Sequence, residues 1–182
     1  MQPFRNLNCI TSEREGFWMS THQFEAFYMK HIDMVYRLAF TYVKNKADAE
    51  EIAQDVFLKY LNQTKSFENE NHEKAWLITV TTNLSKNALK TSWIKRVVYQ
   101  ESPETLEGTV ATYSQEDETL ELILKLPHKY KNVIYLHYYE GYTVEEIATL
   151  LNSKVSTIKS QLHRGRALLK PLVEGVNSNG SR

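Results

Sequence analysis

One cysteine, Cys9, stands alone among 182 residues, which excludes an internal disulfide and fits a reducing compartment. No apolar run is long enough to span a bilayer, and residues 1–20 lack the apolar stretch of a secretory signal. A cytoplasmic chain with no direct membrane insertion is expected. Metal and nucleotide chemistry lack their usual marks. There is no HExxH, no CxxC and no Gly-rich phosphate loop, and His22, His31, His72, His128, His137 and His163 are scattered. The pairs Glu50–Glu51 and Glu145–Glu146 are adjacent on helical segments, so their carboxylates diverge and suit capping and solvation. No catalytic centre, cofactor or metal site is expected, and therefore no enzyme.

Net charge is missing too: Lys plus Arg number 22, and Asp plus Glu number 22. Taken whole, a neutral chain argues against a nucleic-acid binder. The distribution reverses that. No Lys or Arg occurs from Val97 to Leu124, where Glu101, Glu104, Glu107, Glu116, Asp117, Glu118 and Glu121 all fall. An acidic middle masks two basic stretches, Lys86 to Arg96 before it and Lys154 to Lys170 after it.

The second basic stretch belongs to the segment GYTVEEIATLLNSKVSTIKSQLHRGRALLK, Gly141 to Lys170, which reads as a helix-turn-helix. Thr143 with Glu146 forms a capping box. Ile147, Ala148 and Leu151 recur at helical spacing, Asn152 marks the turn, and Val155, Ile158 and Leu162 supply a new apolar stripe. With that stripe turned inward, Ser156, Lys159, Ser160 and His163 fall opposite it, with Arg164 and Arg166 beside them. Such a face suits the major groove, where hydroxyls and Lys reach base edges and cations neutralise phosphates.

An all-α protein of two small helical domains is expected from the remaining periodicity. Residues 1–19 are expected to be a disordered or misassigned leader, residues 1–18 being either a loose tail or the product of an upstream start in place of Met19. Phe24, Phe27, Tyr28, His31, Val35, Leu38, Ala39 and Tyr42 mark a long helix. Asp48 with Glu51 resembles another capping box, and Ile52, Ala53, Val56, Phe57, Tyr60 and Leu61 continue the helix after it. A polar loop, Phe67 to Lys74, precedes a third helix through Trp76, Leu77, Val80, Leu84 and Ala88, with Trp76 in the core. The first domain is placed at 20–92, a flexible acidic linker at 93–115, the second domain at 116–172 and a disordered tail at 173–182. In the second domain a break at Leu126–Pro127 precedes a helix through Tyr130, Val133, Ile134 and His137 that ends at Gly141.

DAEEIAQDVFLKYL from Asp48 to Leu61, then AWLITVTTNLSKNAL, LPHKYKNVIYLHYYEGYTVEEIATLL and STIKSQLHRGRALL resemble, in order and spacing, the sigma-70 superfamily of transcription initiation factors. The match is to its smallest members, the extracytoplasmic-function or group IV sigma factors, which keep a region 2 helical bundle and a winged-helix-like region 4 helix-turn-helix. It covers residues from about 22 to 170. The resemblance implies a protein, monomeric when free, that binds core RNA polymerase through the clamp helices of the largest subunit and the flap. It also implies recognition of promoter DNA, and an anti-sigma factor as the customary partner, able to hold the protein at the membrane.

By the same resemblance Asp48, Glu51, Gln54 and Asp55 meet the basic clamp, where charge steers and orients association. Phe67, Asn69, Asn71 and His72 fall in the minus-ten specificity loop, and Asn83, Lys86, Asn87 and Lys90 line the single strand. Melting costs about a few kcal/mol per extracted base, and amides and lysines can hold the base edge and phosphates. Ser156, Thr157, Lys159, Ser160, His163 and Arg164 face the minus-thirty-five element, and Arg166 and Lys170 hold backbone. Asn152 stands where the family often has Gly and tolerates the left-handed turn. Ser153 is expected to cap the recognition helix in place of Lys154. Gln161 replaces a frequent Arg, and Gly165 a frequent Ala, the latter weakening the helix by about 1 kcal/mol.

Reach is consistent with this reading. About 25 linker residues at roughly 3.3 Å each span at most about 80 Å, while promoter elements about two helical turns apart need roughly 70 Å. In the family this linker threads the cleft that RNA later occupies, so converting Glu101, Glu104 and Glu107 to Gln is expected to change abortive initiation. The rival is a helix-turn-helix transcriptional regulator of the response-regulator output type, which shares the LeuLeu-turn-ThrIleLys pattern. Those usually follow an α/β receiver, and alternating strands are not legible in the first half.

Overall fold

Ser20 starts the first helix, α1 (Thr21–Val43). Its hydroxyl accepts from the Gln23 N–H at 3.2 Å, and the Gln23 side chain accepts from the Ser20 N–H at 2.8 Å. This reciprocal pair satisfies donors that a helix start leaves open. The computed structural model describes residues 20–63, 66–99 and 118–179. The expected leader and the linker carboxylates Glu101, Glu104 and Glu107 lie outside them.

Lys44, in the left-handed conformation at φ 55°, ends α1, and Asn45 caps α2 (Lys46–Leu61) by accepting from the Asp48 N–H. Asp48 therefore sits in the first turn, where its charge favours the positive helix end, and does not cap with Glu51 as their spacing suggests. The third helix, α3 (Glu70–Tyr99), begins six residues before Trp76. The Asn69 side chain accepts from the His72 N–H at 2.9 Å, Lys30 pairs with Glu70 at 2.9 Å, and the Tyr60 hydroxyl donates to Glu73 at 2.6 Å. These contacts tie the first turn to α1 and α2, so Asn71, His72 and Lys74 are helical and the loop is shorter than expected. The helix also continues through 93–99, where the linker was expected to begin.

The three helices enclose Val35, Leu38 and Ala39 of α1, Ile52, Val56 and Phe57 of α2, and Leu77 and Ile78 of α3, all buried. Each of these side chains other than Ala39 is worth about 1.5–3 kcal/mol when removed from water. Phe27 stacks on Tyr60 with ring centroids 4.0 Å apart. Leu61, expected on the inward stripe, is exposed.

The second unit comprises α4 (Glu118–Leu124), α5 (His128–Tyr138), α6 (Val144–Leu150) and α7 (Val155–Asn179). Ile123, Leu126, Val133, Ile134, Ile147, Ile158 and Leu162 form its core. Gly141 at φ 75° and Asn152 at φ 49° make the two sharp turns. Thr143 and Glu146 form the expected capping box. The Lys154 carbonyl accepts from the N–H groups of Thr157 and Ile158, so Lys154, and not Ser153, holds the cap position of α7. Val155 is 37% exposed instead of inward, and α7 stays helical through 173–179, where a disordered tail was expected.

Helix α5 joins the two units because it buries two faces. Tyr130, Val133 and Ile134 turn into its own unit, while Lys131, Asn132 and Tyr135, also buried, lie towards the first, with the exposed His128 at the edge of that face. Across that boundary Thr41 donates its hydroxyl to Asn132 Oδ1 at 2.6 Å, and His128 meets the Tyr42 ring edge-on at 4.9 Å. Nearby, Lys74 of α3 pairs with Glu140 at 2.8 Å. Among the described residues the architecture is entirely helical, and the helix-turn-helix is built of helices alone.

Candidate nucleic-acid interface

Three surfaces carry the candidate residues. On α2 the inward positions Ile52, Ala53, Val56 and Phe57 leave Glu51, Gln54 and Asp55 exposed on the opposite side, with Asp48 half-buried at the start. The same side continues into Leu58, 55% exposed, and Leu61. Periodicity alone did not single out Leu58. An acidic, partly apolar helix face is suited to a basic protein surface rather than to DNA.

The second surface is the 66–69 loop with the outer side of α3. Phe67 is half-buried, stacked on Tyr60 with centroids 5.8 Å apart and edge-on to Trp76 at 5.7 Å. It anchors the loop from beneath. Trp76, expected in the core, is half-buried and lies in this aromatic group. Burial and the Glu73 carboxylate push the Tyr60 phenol well above its ordinary range, so it stays a donor. Asn69, Asn71 and His72 are exposed above the aromatic group, and His72 meets the Phe67 ring edge-on. Asn83, Lys86, Asn87 and Lys90 follow at helical spacing and are all exposed. Amides and ammonium groups in a row can bind base edges and backbone of a single strand.

The third surface is α7. Burial of Ile158, Leu162 and Gly165 against α5 and α6 leaves Ser156, Thr157, Lys159, Ser160, His163, Arg164 and Arg166 exposed. Lys159 lies 4.0 Å from Glu145 of α6. Lys129 and Arg164 flank the Tyr130 hydroxyl and lower its proton affinity, so the exposed end of a buried ring carries two cations. The Arg166 Nε–H donates to the Tyr138 hydroxyl at 2.7 Å, with the guanidinium 5.7 Å from that ring. His137 Nδ1 faces the Tyr142 carbonyl at 2.8 Å. A carbonyl only accepts, so Nδ1 carries the proton and Nε2 keeps the lone pair that faces Arg166 at 3.4 Å.

These surfaces combine an acidic helix face, a polar row beside an aromatic group and a basic helix face on one chain. Among the described residues no group of three or more His, Cys, Asp or Glu could hold a metal ion, and no helix is long and apolar enough to cross a membrane.

Two family models match the chain. Residues 27–95 match the family model for sigma-70 region 2, and residues 116–169 match that for sigma-70 region 4. The chain is similar to RNA polymerase sigma factor SigV of Bacillus subtilis, 30% identical over 164 residues that cover 90% of this chain and 88% of that protein. It is also similar to ECF RNA polymerase sigma factor SigW of the same organism, 31% identical over 155 residues, covering 76% and 82%. Among solved structures, the fold resembles that of the sigma factor RpoE from Bartonella quintana, crystallised with the anti-sigma factor NepR. The TM-score there is 0.61 at 22% identity, over 85% of this chain and 98% of that one.

Proposed function

The chain belongs to the extracytoplasmic-function sigma factors of the sigma-70 family, and from that premise we propose how its three surfaces divide the work of transcription initiation. As an RNA polymerase sigma factor it binds core polymerase and promoter DNA. The exposed Glu51, Gln54 and Asp55, with Asp48 at the helix start, meet the basic clamp helices of the largest subunit. The flap docks on the apolar groove between α4, α5 and α7, lined by Ile123, Ile134, Leu169 and Val173.

Asn69, Asn71 and His72 bind the minus-ten base drawn out of the stack, over the platform that Phe67 anchors. Asn83, Lys86, Asn87 and Lys90 track the melted strand. Ser156, Thr157, Lys159, Ser160, His163 and Arg164 read the minus-thirty-five groove, and Arg166 contacts its backbone once it leaves Tyr138. The protein works in the cytoplasm, an anti-sigma factor is its regulator, and all nucleotide chemistry belongs to the polymerase. The regulator reading of the response-regulator type is not favoured, because the first unit is a three-helix region 2.

The single observation carrying this division is the exposed row from Ser156 to Arg164 on a capped helix-turn-helix, joined to an acidic docking helix. Mixing the purified protein with bacterial core polymerase and a library of promoter fragments tests it. Association with selective initiation is expected. DNA binding without polymerase association would refute it.

A further inference from the structure

Tyr130 stands outside the helix-turn-helix, near the start of α5, yet its side chain meets the recognition helix. Its ring is buried, and its Cβ lies 3.4 Å from where a side chain on Gly165 would begin. Arg164, next to Gly165 on α7, flanks the Tyr130 hydroxyl, and so does Lys129, whose Nζ lies 4.9 Å from the ring centroid. Both cations are exposed, and among the described residues neither pairs with a carboxylate. Like charges gathered at one neutral hydroxyl repel, so the arrangement is complete only with an anion between them. A phenol has one O–H to give and lone pairs to accept with. With the two cations on the accepting side, hydroxyl, ammonium and guanidinium together present only donors. Such a set fits the oxygens of a phosphate. The buried ring fixes the position of the hydroxyl in advance, which lowers the ordering cost that a free surface lysine carries.

We propose that Lys129 and Tyr130 of α5 are DNA-binding residues, which with Arg164 clasp one backbone phosphate at the edge of the minus-thirty-five groove. The clasp rests on the reading of α7 given above, which brings Arg164 to the DNA. Its place along the helix selects DNA as the source of the phosphate. Arg164 lies one turn, about 6 Å, beyond Ser160 on the same exposed row, where a helix entering the major groove by its first turns comes out against the backbone. A phosphate held there fixes the register and tilt of α7 and carries no sequence information itself. Base readout is left to Ser156, Thr157, Lys159, Ser160 and His163, and the DNA-contacting surface extends from α7 onto α5.

Holoenzyme assembled from the full chain and core polymerase, bound to duplex promoter fragments over a range of salt concentrations, tests the clasp through its dissociation constants. Lys129→Ala is expected to weaken binding to every fragment alike and to lower the salt dependence by roughly one ion, and Lys129→Arg to restore it. Tyr130→Phe keeps the ring and is expected to keep the salt dependence while weakening binding about threefold or more. Neutralising single phosphates as methylphosphonates locates the contact. One position beside the minus-thirty-five element is expected to weaken the parent and to leave Lys129→Ala unaffected. Inorganic phosphate, raised at constant ionic strength, is expected to change neither protein. Competition confined to the parent would assign the three residues to a free anion and overturn the DNA clasp. An unchanged salt dependence in Lys129→Ala, while Arg164→Ala lowers it, would overturn the clasp and leave the reading of α7 standing. If Arg164→Ala also changes nothing, the reading of α7 fails and the clasp with it. Polymerase association is expected to be equal in all variants, and its loss in Lys129→Ala would place this residue on a protein interface instead.

Discussion

Gly165 approaches Ile134 so closely that a Cβ placed on it would lie 2.8 Å from Ile134 Cγ1 and 3.1 Å from its Cδ1. Helix α7 and helix α5 cross at this point, and the missing side chain is what allows the crossing. On helix propensity alone, Ala here would stabilise by about 1 kcal/mol. Overpacking a fully buried, β-branched neighbour costs about 1–3 kcal/mol, and that effect wins. Gly165→Ala is expected to lower stability by about 1 kcal/mol in urea unfolding, and an increase in stability would show that α5 and α7 can move apart freely.

His31 is buried on α1, its Nε2 has no hydrogen-bond partner, and the Phe27 ring lies 4.8 Å away. Burial, the leading cause, holds its proton affinity below the ordinary value of 6.5 despite the attraction of Glu73. The folded form therefore prefers the neutral ring. Its contribution to stability is full above 6.5 and is lost as pH falls from there through the lowered folded value. Region 2 is expected to melt at lower temperature as pH drops below that point, and His31→Phe to flatten the dependence. An unchanged acid slope in the variant would place the sensitivity elsewhere.

Leu58 stands exposed beyond Asp55 on the outer face of α2. Apolar side chains at the centre of a charged docking face contribute through burial in the complex, where single anchors cost more than about 1 kcal/mol when truncated. Leu58→Ser is expected to leave the melting temperature unchanged and to weaken core polymerase binding about tenfold or more, as read by fluorescence anisotropy. Equal affinity for variant and parent would move the contact off this face.

Much of this fold is legible in the sequence, and the misses share a cause. Phe27, Val35 and Leu38 announce α1 by apolar spacing, and Thr143, Glu146 and Asn152 announce the helix-turn-helix by cap and turn chemistry. Where polar residues do structural work, periodicity is silent. Glu70 and Glu73 begin α3 through partners on α1 and α2 that are distant in sequence. Lys131, Asn132 and Tyr135 make a second buried face on α5 that reads as surface, because what covers it, Thr41 against Asn132 among them, is distant in sequence. Gly165 reads as a weak point in a helix until Ile134 is placed against it. The candidate DNA residues of α7 were legible because exposure there follows directly from the inward stripe of Ile158 and Leu162. Val155 and Leu61, each at the edge of its stripe, were assigned inward and lie at the surface.

The division of roles between α2 and α7 is tested most directly by measuring, for matched variants on one promoter, both affinity for core polymerase and the rate of open-complex formation. Asp55→Ala is expected to weaken polymerase binding while leaving promoter preference intact. Lys159→Ala and Arg164→Ala are expected to keep polymerase affinity, to lower promoter use and to reduce the salt dependence of DNA binding by roughly one ion each. Equal loss of polymerase binding in both sets would contradict the account.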